Sequence, residues 1–270
     1  MKRLLTNLLI CGVAASAAGA SVDVNIKISG RGSMFGTLEG RDAGFVTFRP
    51  KESSSVTKVA DDKLTSIKFK LDAEMAPVKQ QFDSGDYWAV AEVYSRILPP
   101  YLPYFGLPSN LEDEFPRWII SSYWAGDYSR TVSLGEALMP ASEGAFRESV
   151  DFFSRLARME QGGFGEMASF MKTSGAETLY PGNSAARLYI QARLLQNENR
   201  SVEAIRTITK LIARHSQDTD WMPKAELFCA ELYFDLDMSE SAEAVLADVE
   251  EFYSNTNIQN RAAALAAKQK

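Results

Sequence analysis

Five short polar breaks recur through most of the chain. They read Ser84-Gly85-Asp86-Tyr87, Ala125-Gly126-Asp127-Tyr128, Gln161-Gly162-Gly163-Phe164, Glu198-Asn199-Arg200-Ser201 and Leu236-Asp237-Met238-Ser239. From Gly85 the steps to Gly126, Gly162, Asn199 and Asp237 are 41, 36, 37 and 38 residues. After Asp72 the apolar period is helical on both sides of each break. The unit is therefore helix, break, helix, repeated about five times. One such pair cannot bury its apolar face alone, so pairs must stack on one another.

Stacked helices need small residues where their backbones cross and larger ones between them. The fifth unit supplies Ala230 and Tyr233 on its first helix and Ala242 and Leu246 on its second. The fourth supplies Ala192, Leu195, Ala204 and Ile208. The first two units have Gly-Asp-Tyr turns, but Val90 and Thr131 stand where a small residue is expected. A proline-rich insert, Pro99–Asn110, interrupts the series. Asn257 to Lys270, with Ala262, Ala263, Leu265 and Ala266, reads as a terminal helix with a basic end. Over residues 73–256 this pattern resembles the tetratricopeptide-repeat family.

Residues 21–72 have a different period. Val22-Asp23-Val24-Asn25-Ile26-Lys27-Ile28 alternates apolar and polar without a break. Met34 to Glu39, Phe45 to Phe48, Val56 to Val59 and the alternating Ile67, Phe69 and Leu71 predict four more strands. Five strands in about fifty residues predict a small antiparallel β-barrel, which resembles the SH3-like and Sm-like barrels. The expected fold class is α+β multidomain. A small barrel over 21–72 is followed by an all-α, tetratricopeptide-like solenoid over 73–270, with about five helix pairs and a terminal helix.

Residues 1–20 read as a signal peptide. Lys2 and Arg3 precede an apolar stretch that ends in Ala18-Gly19-Ala20. Thr6 and Asn7 interrupt the run, which argues against a membrane span. Bulky Ile10 before Cys11 argues against a lipid-anchored cysteine. The expectation is an exported protein, periplasmic or secreted, with no membrane insertion after cleavage. Cleavage would leave 27 bases and 35 acids, a net charge of −8, and one thiol, Cys229. Such a chain has no internal disulfide to lean on. Its charge divides unevenly, with +2 over 21–72 and −10 over 73–270. The acidic part would repel nucleic acid phosphates, so no nucleic acid partner is expected.

Catalytic options are few. With His215 as the one histidine and Cys11 and Cys229 as the two cysteines, a His/Cys zinc site lacks ligands. His215 falls at the end of a helix that begins near Ser201, where a helix dipole favours it. Gly30, Gly32 and Gly36 miss the dinucleotide-binding spacing by one residue and read as hairpin turns. Glu112-Asp113-Glu114 sits where a helix N-terminus attracts acid. Cys229, between Phe228 and Ala230, reads as a small buried hydrophobe. Tyr101, Tyr104, Phe105, Trp118, Tyr123 and Trp124, around the insert, read as packing.

The expectation is a non-enzymatic, protein-binding scaffold with no cofactor and no metal. The family resemblance implies that Tyr189, Arg193 and Gln196 of the fourth unit face a concave groove, together with Lys224 and Glu231 of the fifth. There they would hold a protein or peptide partner. The alternatives are a carboxylate-dependent hydrolase of envelope polysaccharide and a structural component of an envelope assembly.

Overall fold

The computed structural model describes residues 21–253 and 257–268. The expected signal peptide, Cys11 included, lies outside the described residues. These form two units. One comprises residues 21–70 together with Leu107–Asn110, and the other 71–106 together with 111 onward. Helical pattern and sheet therefore part near Asp72, but the proline-rich insert returns the chain to the sheet.

The first unit is a five-stranded antiparallel sheet of order β4-β3-β2-β1-β5. Its strands are β1 Val22–Ile28, β2 Ser33–Asp42, β3 Phe45–Pro50, β4 Thr57–Ala60 and β5 Leu64–Phe69. The alternation of β1 sends Val22, Val24, Ile26 and Ile28 to the buried face, and Leu38, Phe48, Val59 and Ile67 join them there. β2 runs past its expected end because Ala43 and Gly44 both take positive φ, the geometry of a two-residue hairpin. A bulge at Glu39, between Leu38 and Gly40, absorbs the extra residue.

The sheet is open, and this corrects the expected barrel. β4 and β5 do not pair. A single 3-10 turn, Asp61–Lys63, carries the chain across the end of the sheet. At one end of that turn Asp61 N donates to Gly44 O at 2.9 Å, and at the other Ser29 N donates to Lys63 O at 2.8 Å. The free edge of β5 is instead taken by the insert. Ile67 N donates to Pro108 O at 2.8 Å, and Asn110 N donates to Ile67 O at 3.2 Å. The Asn110 side-chain amide then clasps the Phe69 backbone at 2.9 and 3.2 Å. A second correction concerns Gly36, which lies within β2 and not in a turn. A Cβ there would sit 2.1 Å from Arg49 O and 2.7 Å from the Phe48 ring, so the close approach of β3 requires glycine.

The second unit is helical: α1 Val78–Asp83, α2 Tyr87–Ile97, α3 Glu114–Trp124, α4 Tyr128–Leu138, α5 Gly144–Glu160, α6 Phe164–Phe170, α7 Ser174–Leu179, α8 Ala185–Asn197, α9 Ser201–Arg214, α10 Trp221–Asp235, α11 Ser239–Phe252 and α12 Asn257–Lys268. All five expected breaks fall between helices and share one backbone device. Gly85, Gly126, Gly162, Asn199 and Asp237 have φ of +80°, +81°, +92°, +59° and +57°. Each donates its N–H to the carbonyl three residues back, and the next residue donates to the carbonyl five back, as in Gly126 N to Tyr123 O and Asp127 N to Ser122 O. This is the Schellman ending, which satisfies the last carbonyls of a helix and turns the chain. Asp86 and Asp127 then cap α2 and α4 through their carboxylates.

Ala192, Ala204, Ala230 and Ala242 are buried, as a close helix crossing requires. The tightest glycine site of the unit is a position the sequence reading passed over. A Cβ on Gly135 of α4 would meet Ser154 Oγ of α5 at 1.9 Å. Consecutive helices pack on each other from α2 to α5, from α8 to α12, and α10 also touches α8 and α12. The third unit is irregular, because its second helix is short and is followed by the separate six-residue α7.

Candidate functional site

The polar residues expected to face a groove meet inside the helical unit, around a carboxylate absent from that expectation. Glu160 is the last residue of α5, next to the third break. Its side chain is 2% exposed. Oε1 accepts from Lys224 Nζ at 2.7 Å, from the Tyr189 hydroxyl at 2.9 Å and from the Tyr123 hydroxyl at 3.3 Å. Oε2 lies 3.6 Å from Arg193 Nη2. Arg193 also binds Glu231 at 3.1 Å and Gln196 at 3.3 Å, and Gln196 donates to Asp235 at 2.8 Å. The five expected residues thus form one connected network running from α5 through α8 to α10.

Three tyrosines surround the Lys224 ammonium. It lies 4.8, 5.0 and 5.3 Å from the ring centres of Tyr123, Tyr128 and Tyr189. This is a desolvated cation–π arrangement, since the Lys224 side chain is only 4% exposed. Lys224 also donates to the Tyr128 hydroxyl at 2.9 Å, which accepts from Arg261 of α12 at 3.1 Å. Burial pushes the Glu160 carboxyl up, but the neighbouring Lys224 and Arg193 charges outweigh it and hold the group at about 2. Burial and the Glu160 charge raise both Tyr123 and Tyr189 well above the ordinary phenol range. Glu160 is therefore a fixed anion, unsuited to giving or taking protons near neutral pH.

A cavity of about 400 Å³ adjoins this network. Tyr87, Trp88, Trp124, Pro223 and Ile258 form its apolar walls, and Asp86, Asp220, Lys224 and Arg261 its charged ones. The first break and the starts of α2 and α10 frame it. Tyr87 stacks on Trp124 at 6.1 Å, and Trp124 meets Trp221 edge-on at 5.0 Å. The Tyr87 hydroxyl reaches both oxygens of Asp220 at 3.0 and 3.1 Å, which fixes that wall. Half-burial raises the Asp220 carboxyl above the ordinary range, with Asp218 adding to the effect. Trp88 is 60% exposed at the mouth.

The remaining candidates have structural surroundings. His215 terminates α9, and its Nε2 lies 2.6 Å from Asn183 O. Cys229 is buried among apolar side chains, and burial pushes its thiol up to about 11. Asp113 and Glu114 open α3. Tyr104, Trp118 and Tyr123 are buried, and Phe105 packs edge-on against Phe115 and Phe146. Trp124 is the member of that aromatic group that lines the cavity. Among the described residues no group of His, Cys, Asp and Glu could hold a metal ion. No helix among them is long and apolar enough to cross a membrane.

Glu160, Tyr128, Arg261 and Asp220 escaped the sequence reading. A signal for Tyr128 was present, because both Gly-Asp-Tyr turns send their tyrosine hydroxyl inward: Tyr87 to Asp220 and Tyr128 to Lys224 and Arg261. Comparison with protein-family models, curated proteins and solved structures finds no match to this chain.

Proposed function

We propose that the chain is an exported, non-enzymatic binding protein, built as a tetratricopeptide-like stack of helix pairs, that takes a protein or peptide partner into the cavity between α2, α3, α10 and α12. One observation carries this reading. An aromatic-walled cavity with an exposed tryptophan at its mouth abuts a charge network whose groups are already spent on one another. Convergent apolar walls with a few placed charges are the usual chemistry of recognition. In this reading Tyr189 does not touch the partner, and Lys224 meets it only where it lines the cavity. Tyr189 and Glu160 fix Lys224 in that wall, while Arg193, Glu231 and Gln196 extend the charge network toward the surface.

The hydrolase alternative has one observation in its favour, the raised Asp220 carboxyl on the cavity wall. Two variants separate the readings. Trp88→Ala removes an exposed ring, so the melting temperature should stay within about 2 °C of the parent. Partner capture from envelope extract should nevertheless fall sharply, and unchanged capture would remove the cavity from the proposal. Asp220→Asn should abolish any release of sugar from wall polymers if the protein is a hydrolase. On the binding reading there is no such release to abolish.

A further inference from the structure

The outward face of the open sheet carries a row of side chains that the proposed helical cavity does not use. Alternation sends Val24, Ile26 and Ile67 to the buried face and Asn25, Phe35 and Lys68 to the other. Asn25 stands opposite Phe35 on β2 and opposite Lys68 on β5. Lys51 continues the same row beyond β3, since its N–H donates to Phe35 O at 2.9 Å. A row of Lys51, Phe35, Asn25 and Lys68 thus crosses β2, β1 and β5 from the turn that follows β3. Phe35 is 66% exposed, a large apolar ring in the middle of a sheet. Lys51 and Lys68 are exposed, and neither makes an ion pair among the described residues. Asn25 Oδ1 has no hydrogen-bond partner among them. A groove of about 690 Å³ opens along the row.

Spacing and charge define what fits. Neighbouring strands lie about 4.8 Å apart, so three steps place the backbones of Lys51 and Lys68 about 14 Å apart. An extended peptide rises about 3.4 Å per residue, so side chains four residues apart are separated by nearly the same distance. We propose that this face docks an extended acidic polypeptide segment, with two carboxylates four residues apart on Lys51 and Lys68 and the side chain midway between them against the Phe35 ring. A polypeptide is favoured over a polynucleotide because Asp23, and Glu39 paired with Arg49 at 2.6 Å, interrupt any continuous basic track. The net charge of +2 over residues 21–72 is also too small for strong phosphate binding.

The test uses the full chain after removal of residues 1–20. The probe is a fluorescein-labelled synthetic nonapeptide with glutamate at its third and seventh positions and phenylalanine at its fifth. Fluorescence anisotropy should give saturable binding that weakens as salt rises. The double variant Lys51→Glu, Lys68→Glu should weaken it at least about tenfold, as should Phe35→Ala, whereas Trp88→Ala should leave it unchanged. All of these positions are exposed, so the variants should keep the parent melting temperature, and the milder Lys68→Ala serves as a check. The proposal is overturned if the nonapeptide fails to bind or if the lysine variants bind it as the parent does. It is equally overturned if oligothymidylate or polygalacturonate binds this face more tightly than the peptide.

Discussion

At Glu160 two opposing effects act on a single carboxyl group. Burial favours the neutral acid, but two cations and two phenol hydroxyls favour the anion, and the cations prevail. Breaking such a pair from one side leaves a buried charge uncompensated. Glu160→Gln should therefore destabilise the protein by about 3–5 kcal/mol, read from the urea midpoint. Glu160→Leu combined with Lys224→Met should recover part of that loss, because the ammonium that the single change leaves unpaired is removed with its partner. The pH dependence follows from the same shift. The folded-state value of about 2 lies below the ordinary 4.5, so the contribution is complete above the ordinary value and is lost as pH falls from there towards 2. A stability-pH curve flat through that window would separate Glu160 from the acid response. This residue was hard to read from the sequence because a glutamate beside a polar break looks like any solvated helix end. Only the fold brings Lys224, 64 positions away, within 2.7 Å.

The helix breaks were legible at the scale of the element, and the reason is local. A Schellman ending needs a residue tolerant of positive φ, so glycine, asparagine and aspartate at a regular period announce it. Three of the breaks use glycine, while Asn199 and Asp237 occupy the same left-handed region with side chains. Asn199→Gly and Asp237→Gly should each raise stability, by a few tenths to about 1 kcal/mol, because the strain of the Cβ disappears. Gly85→Ala should do the reverse and cost about 1–2 kcal/mol through φ alone, since a Cβ there meets nothing within 4 Å. Melting temperatures of the three variants would check both signs. The sheet was less legible. Alternation located β1 to within a residue, but pairing across its edges is non-local, and nothing in Val56 to Leu71 says that β4 and β5 will lie at opposite edges. The insert that covers β5 looked like a loop because its prolines hide a single stretch of strand-like pairing at Pro108–Asn110.

For the molecule as a whole, the decisive feature is a set of contacts that a simple stack of repeats lacks. In such a stack each pair touches only its neighbours, so unfolding can proceed from either end. Here Tyr87 binds Asp220, and Arg261 binds Tyr128, both across 133 positions of sequence. Lys224 joins α10 to α4 and α5 as well. The helical unit should therefore unfold in denaturant as one transition, followed by tryptophan fluorescence and circular dichroism together. Arg261→Ala with Tyr87→Phe should separate those two signals, because Trp124 and Trp221 near the closure would lose order before the outer helices do. Ala242, fully buried on α11, gives an independent check on the stacking. Ala242→Trp should cost about 1–3 kcal/mol through overpacking, and an unchanged melting temperature would place it at the surface.

The buried thiol of Cys229 turns that cooperativity into something that can be timed. Alkylating reagents attack the thiolate, and a thiol at about 11 that lies inside α10 offers almost none while the helix is in place. Modification must then wait for the protein to open, so the slow rate at which iodoacetamide marks this one sulfur would count the openings of the native state under conditions where no bulk signal changes.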